Sequence, residues 1–434
     1  MNFPEKAKRK LFNTIGLVIN RLGQNEAADT TKLPKTVTDG MPELLREAAA
    51  EGTVLLRNDN VLPLSKSDVV SVFGRVQNDY IFVGYGSGGD VIKPYTVSLM
   101  EGLRNIGASL NEELACLYAD WCKKNPPDHG FWGHWPHYYE EMPISDDIIN
   151  KASKSSDCAV VVIGRAAGED RESTLTKGSY YLTDCEASLI SKVSTAFKKT
   201  VIILDIGNII DMKWTKELIK NDCALLVPWQ GGMESGNAVA EVIYGIKEPS
   251  GRLTDTIAEN YSDYPSADNF GNKEYNNYTE DIYVGYRYFE TFNKEAVLYP
   301  FGYGLGYAEF ERQLKKAEIK DNSIHLTATV KNISNSHKGK DVCQIYIEAP
   351  CGRLGKPSRV LCGFRKTALL DISEEQDLTF EIPFYSFASY DDGGKTGHKS
   401  SYILEKGEYT LYIGGDVRSA EKIRSDTGSD NRNS

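Results

Sequence analysis

No stretch of the 434 residues approaches the roughly 18 consecutive apolar residues that a membrane-spanning helix requires. Met1 to Gln24 holds a short apolar segment (Leu11, Phe12, Ile15, Leu17, Val18, Ile19), but Asn13, Asn20 and Arg21 interrupt it. Without a continuous apolar core or a small-residue cleavage site it does not read as a secretory signal. The eight cysteines form no Cys-x-x-Cys pair, and several lie in apolar runs, as Cys158 does in Asp-Cys-Ala-Val-Val-Val-Ile. Buried, reduced thiols are the expectation, and with them a cytoplasmic location. Positive charge is in deficit: 50 Lys and Arg against 61 Asp and Glu leave a net charge of −11. Such a surface repels nucleic acid and anionic lipid, so partners of those kinds are not expected, whereas a neutral ligand such as a sugar is compatible with it. No internal repeat is present.

What is there divides the chain by rhythm. Short apolar runs rich in β-branched residues, at Val69–Phe73, Ala159–Ile163, Val201–Leu204 and Ala224–Val227, alternate with helical patterns at Ser145–Lys154, Glu186–Lys198 and Gly236–Tyr244. Runs apolar on both faces suit strands buried in a mostly parallel sheet. Pro42 to Gly52 reads as a helix with Asp39 as its cap. Beyond residue 310 the pattern becomes strict alternation, as in Ile324, Leu326, Ala328 and Val330, or Leu378, Phe380 and Ile382. That predicts an antiparallel β-sandwich. The expected organisation is a leader over 1–40, a layered α/β domain over 41–250 and a Tyr-, Asn- and Gly-rich linker over 251–310. The sandwich then covers 311–416, with a disordered tail over 417–434.

The chemistry concentrates in Val161-Val-Ile-Gly-Arg-Ala-Ala-Gly-Glu-Asp-Arg-Glu172, where a buried strand runs into a glycine-bounded loop carrying four charges in a row. In open α/β sheets, ligands sit at the loops after strand C-termini. Adjacent like charges can raise a carboxyl pKa toward the range a general acid needs. Spacing alone favours a solvated charged loop.

Several segments resemble the family 3 glycoside hydrolases. Ala-Gly-Glu-Asp-Arg at 167–171, followed by Lys177-Gly-Ser-Tyr-Tyr-Leu-Thr183, is similar to the acid/base loop of that family. Ala50-Glu-Gly-Thr-Val-Leu-Leu-Arg-Asn58 resembles the start of its α/β sandwich domain. Pro228-Trp-Gln-Gly-Gly-Met-Glu-Ser-Gly236 and Pro249-Ser-Gly-Arg-Leu253 resemble that domain's end. Gly285-Tyr-Arg-Tyr-Phe289 and Tyr299-Pro-Phe-Gly-Tyr-Gly-Leu-Gly-Tyr307 resemble its linker. Cys362-Gly-Phe-Arg-Lys366 and Gly407-Glu-Tyr-Thr-Leu-Tyr-Ile-Gly414 resemble the appended fibronectin type III-like domain. The resemblance runs in consistent order over about 45–415.

It implies a β-glucosidase-type exo-glycosidase that hydrolyses a β-linked glucoside or oligosaccharide with retention, without metal or cofactor. An Asp nucleophile from a (β/α)8 barrel attacks the sugar, and a Glu protonates the leaving oxygen. The matching Glu is Glu169, with Glu172 as its competitor. Arg165, Asp170 and Arg171 are expected around it, either orienting the carboxylate and sugar hydroxyls or pairing with Asp170 and Glu172. Trp132 and Trp135, in Phe131-Trp-Gly-His-Trp-Pro-His-Tyr-Tyr139, are expected as a stacking wall for the leaving group or as a packed insertion. His129, His134 and His137 in the same region show no metal-ligand spacing. Gly84-Tyr-Gly-Ser-Gly-Gly-Asp90 fits a dinucleotide loop poorly and is expected close to the sugar site, since glycines permit near approach of backbone.

One part of the family pattern is missing. No Ser-Asp-Trp nucleophile motif occurs, and Tyr261-Ser-Asp-Tyr264 lies in the wrong context. There is no room for a barrel of about 250 residues. The expectation is a chain that supplies the acid/base and depends on a separate barrel polypeptide, or that self-associates through its unpaired docking face. The alternative is a non-catalytic carbohydrate-binding or scaffold protein.

Overall fold

The computed structural model describes residues 36–86, 93–128, 130, 135–169, 172–271 and 274–423. The chain divides into two compact units, Met1–Gly251 and Arg252–Ser434.

In the first unit, helix α1 (Met41–Gly52) leads into β1 (Val54–Asn58) and β2 (Val69–Phe73). Helix α2 (Leu99–Asn105), β3 (Ser109–Leu110), α3 (Glu112–Lys124) and α4 (Asp146–Ser155) follow, and then the alternation settles into β4 (Cys158–Arg165), α5 (Asp184–Ala196), β5 (Lys199–Ile206), the short α6 (Trp214–Glu217), β6 (Asp222–Val227) and α7 (Ser235–Ile243). The cap of α1 differs from expectation. Gly40, at φ 79°, is the N-cap and no side chain bonds there, so Asp39 does not close this end.

The six strands form one sheet in the order β1-β6-β5-β4-β2-β3. Strands β3, β2, β4, β5 and β6 are parallel, and only the edge strand β1 runs antiparallel, against β6. All eight residues of β4 are buried, as expected where helices cover both faces of a sheet. The chain goes one way from β2 to β3, then crosses back to lay β4 on the other side of β2. That reversal opens a crevice at the carboxyl ends of β2 and β4, the place where doubly wound sheets bind ligands.

In the second unit, residues 252–310 hold β7 (Ile257–Ala258), helix α8 (Tyr286–Phe292) and β8 (Val297–Tyr299), with β7 paired to β8. The expected linker is therefore ordered and part of this unit. The sandwich follows: β9 (Phe310–Lys320), β10 (Ser323–Asn332), β11 (Val342–Glu348), β12 (Val360–Lys366), β13 (Glu375–Pro383), β14 (Ser389–Asp391), β15 (Ser401–Ile403), β16 (Thr410–Gly414) and β17 (Glu421–Lys422). Sheets β13-β10-β9 and β12-β11-β16-β17 are antiparallel throughout. Their inner faces share one core of Leu326, Val330, Ile345, Phe380 and Ile413, which explains the alternation legible in the sequence. Asp341, fully buried, is held by Arg252 and Arg312. Residues 417–423, expected in a disordered tail, include β17 and the buried Val417 and Ala420. The leader over 1–35 and the tail over 424–434 lie outside the described residues.

All eight cysteines are free, and Cys122, Cys158, Cys223 and Cys343 are buried. Burial pushes the Cys158, Cys223 and Cys343 thiols up to about 12, which leaves them protonated and unreactive. Among the described residues no helix is long and apolar enough to cross a membrane.

Candidate active site

Strand β4 delivers Arg165 to the crevice, and two small buried residues, Ala166 and Ala167, carry the chain to Gly168 and Glu169. Small residues are needed because a second segment lies directly alongside. Tyr85 forms a parallel bridge with Gly168. The Tyr85 N–H donates to the Ala167 carbonyl at 2.7 Å, and the Glu169 N–H donates to the Tyr85 carbonyl at 3.2 Å. A Cβ on Gly168 would stand 2.1 Å from the Tyr85 oxygen, and one on Gly84 would stand 2.5 Å from the Ala167 oxygen. Gly86 takes φ +101°, and its missing Cβ leaves the space that the Glu169 side chain occupies, 2.4 Å from the Glu169 Cβ.

Two further contacts fix the other side of the loop. The Ala166 N–H donates to the His137 carbonyl at 2.8 Å, and Gly207, after β5, packs against the Ala167 methyl. The backbone leading to Glu169 is thus gripped by main-chain groups of Tyr85 and His137, while Glu169 itself is exposed. Glu172 is also exposed, and it carries no such pairing among the described residues.

The glycine loop approaches the acid loop as expected, through Gly84, Tyr85 and Gly86, while residues 87–90 lie outside the described residues. Asp170, Arg171, Trp132, His129 and His134 also lie outside them. Trp135 is buried and stacks on Tyr85, ring centroids 5.3 Å apart and planes 7° from parallel. It backs the residue that pairs with Gly168, so the face turned to Tyr85 is closed to a sugar. Its neighbours Tyr138 and Tyr139 instead line a cleft of about 400 Å³ with Trp121, His137 and Arg75. The Arg75 guanidinium sits over Trp121 at 5.0 Å and Tyr139 at 5.7 Å.

Arg165 has different partners from those its loop suggested. It is 3 % exposed and grips Glu186 with both Nη atoms at 2.7 Å. Its Nε donates to the Ser179 carbonyl at 3.0 Å, Nη1 to Gly164 at 2.7 Å and Nη2 to Tyr181 at 3.4 Å. All five N–H donors are engaged inside the fold, which leaves none for Glu169, Glu172 or a hydroxyl of substrate. Glu186 in turn accepts from the Thr183 N–H at 2.7 Å and completes a capping box on α5. The sequence signal was present as Thr183-x-x-Glu186.

Sequence reading also missed the acids buried behind the site. Asp205, at the end of β5, accepts from the Ile81 N–H at 2.8 Å through Oδ2, while Oδ1 has no hydrogen-bond partner. Burial pushes its carboxyl well above the usual carboxylate range. At the end of β6, Trp229 adopts φ 58°, a conformation rare for a bulky side chain and concentrated at functional sites.

Glu141 gives a measurable pH effect. Burial pushes its carboxyl from 4.5 up to about 7, opposed by the N–H groups of Arg75 and Met142, which donate to it at 2.8 Å. Below about pH 4.5 the folded and unfolded chains both hold this proton, and the contribution to stability is intact. Between about 4.5 and 7 only the folded chain holds it, so stability falls as pH rises, by on the order of 3 kcal/mol from this group, and levels off above. Urea unfolding of Glu141→Gln across pH 4.5–8 is expected to show a flatter slope than the parent. A variant slope equal to the parent's contradicts the assignment.

Among the described residues no cluster of three or more His, Cys, Asp or Glu could hold a metal ion.

Residues 53–307 match the model of the glycosyl hydrolase family 3 C-terminal domain, and residues 341–417 match the fibronectin type III-like domain. A β-glucosidase of Ruminococcus albus is 47% identical over 381 residues, covering 88% of this chain and 40% of that protein. β-Glucosidase A of Butyrivibrio fibrisolvens is 39% identical over 421 residues, covering 87% and 50%. Among solved structures, a β-glucosidase from Paenibacillus barengoltzii superposes with a TM-score of 0.87 at 44% identity, over 91% of this chain and 43% of that one. β-Glucosidase 3B from Thermotoga neapolitana, in complex with α-D-glucose, gives 0.78 at 36% identity, over 86% and 52%. This chain therefore spans two fifths to a half of the length of the relatives it matches.

Proposed function

This chain belongs to the family 3 glycoside hydrolases, and on that premise we propose that it supplies the acid/base half of a retaining β-glucosidase-type active site. Glu169 is the proton donor and the nucleophile comes from a (β/α)8 barrel outside the described residues. The observation that carries this reading is the main-chain grip on Glu169 at the crevice between β2 and β4. A general acid must be held within reach of a leaving oxygen, and retention needs the two carboxyls about 5–5.5 Å apart. A rigid backbone beneath an exposed carboxyl suits a group that has to meet a nucleophile on another domain. The substrate is a β-linked glucoside or oligosaccharide.

The test joins this chain to the barrel of a close relative, either by mixing or in one polypeptide. The chain alone is expected to leave an aryl β-glucoside intact, since on this reading the barrel supplies the attacking group and the glycone pocket. The joined protein is expected to hydrolyse it and release the β-anomer first, as followed by proton NMR. First release of the α-anomer excludes retention. A joined protein that binds glucose but hydrolyses nothing removes the catalytic reading in favour of carbohydrate binding alone.

A further inference from the structure

The second unit contains a cleft with no place in the proposed chemistry. It has a volume of about 420 Å³ and is lined by residues from 281–287, 347–360 and 386–402. A volume of this order falls in the usual range for small-molecule sites. Two cationic side chains face it with unused hydrogen-bonding capacity. Arg287 makes no side-chain hydrogen bond or ion pair among the described residues, and its Nε is buried without a partner. The residue as a whole is half-buried; a buried N–H without an acceptor is destabilising, and an incoming anion relieves it. Lys356 is 9 % exposed, and its ammonium, with three donors, bonds only the Ser389 hydroxyl among the described residues. Burial draws its pKa below the ordinary lysine value, with Glu405 the one group that opposes the shift. The Glu405 carboxylate is itself engaged by the N–H groups of Arg353 and Leu354. Asp281 and Asp392 also line the cleft, but both are exposed and solvated, as is Lys395.

The rest of the lining is of a kind that suits a sugar. Tyr390 and Tyr402, packed with centroids 5.0 Å apart, line it together with Ser386 and Ser389. The volume exceeds what a bare inorganic oxyanion fills. We propose that this cleft binds a saccharide bearing a carboxylate or phosphate, with Arg287 and Lys356 holding the anionic group and the tyrosine pair against the ring. The site is separate from Glu169 and stands or falls independently of the hydrolytic reading.

Calorimetric titration of the full chain at low salt tests it with four probes: glucuronate, glucose 6-phosphate, inorganic phosphate and glucose. At least one acidic sugar is expected to bind saturably, about ten-fold or more tighter than glucose and tighter than phosphate alone. Arg287→Gln and Lys356→Met are each expected to weaken that binding about ten-fold or more. Arg287 is the less buried of the two, so its variant carries the test if Lys356→Met fails to fold. Circular dichroism confirms that the titrated variants are folded. The proposal is overturned if neither acidic sugar binds, if phosphate alone binds as tightly as the sugars, or if the folded variants bind as the parent does.

Discussion

Glu169→Ala, in a protein that includes the barrel, is expected to lower kcat on cellobiose or an alkyl β-glucoside by about 10²–10⁴-fold, the usual contribution of a positioned general acid. Glu169 is exposed, with its side chain beside Gly86. Its removal should therefore shift folding stability by no more than about 0.5 kcal/mol. Loss of rate with retained stability distinguishes a chemical role from a structural one. The leaving group sharpens the test. A 2,4-dinitrophenolate departs without protonation, so the first step should survive the substitution while breakdown of the glycosyl-enzyme, which needs a base, becomes slow. Azide attacks the anomeric carbon without losing a proton, and the bond to the nucleophile breaks as the azide bond forms. Added azide is therefore expected to restore turnover and to yield the β-glucosyl azide. Full activity in Glu169→Ala, with the loss appearing in Glu172→Ala instead, would transfer the role to Glu172.

The second large effect is on folding. Arg165→Met or Glu186→Ala each leaves one buried charge of a bidentate pair without its partner, and each is expected to cost about 3–5 kcal/mol. Against the 5–15 kcal/mol typical of a domain, that is a large share. Glu186→Ala also removes the capping box of α5 and should be the worse of the two, by roughly 1 kcal/mol. Replacing both residues with apolar ones of similar volume should recover much of the loss, because no orphaned charge remains. Urea unfolding of the two single variants and the double variant measures the coupling directly. A substrate-binding Arg165, as the charged loop suggested, predicts a different result: a raised KM with unchanged stability. That outcome would mean the pair with Glu186 is not what fixes the end of β4.

The sheet was largely legible because β2, β4, β5 and β6 each have a core apolar on both faces, whereas β3, only Ser109–Leu110, gave no such run. The run at 69–73 coincides with β2, and those at 159–163 and 201–204 lengthen only at their ends. Strand order was not legible, since nothing in Val54–Asn58 announces an antiparallel edge partner some 170 positions later, at β6. The fibronectin-like core was readable from alternation, whereas β9 was not, because its residues are mostly exposed and show no apolar period. At the candidate site, Glu169 was singled out through motif resemblance and not through spacing. The residues that fix it, Gly84, Tyr85 and His137, act through main-chain atoms across long separations, and no side-chain pattern encodes that. Asp205 was hidden in Val201-Ile-Ile-Leu-Asp-Ile206, which reads as an ordinary buried strand.

The grip of residues 84–86 on 167–169 has a consequence for how relatives of this chain can diverge. The bonds that hold position 169 come from amides and carbonyls, so they do not depend on which side chain is displayed there. A lineage can exchange the displayed residue, and with it whatever chemistry that side chain supplies, while the presenting backbone stays where it is. The glycines at 84, 86 and 168 have no such freedom, because any side chain at those points meets the opposing strand or Glu169 itself. Inheritance of this site should therefore be traced through its three glycines before its glutamate.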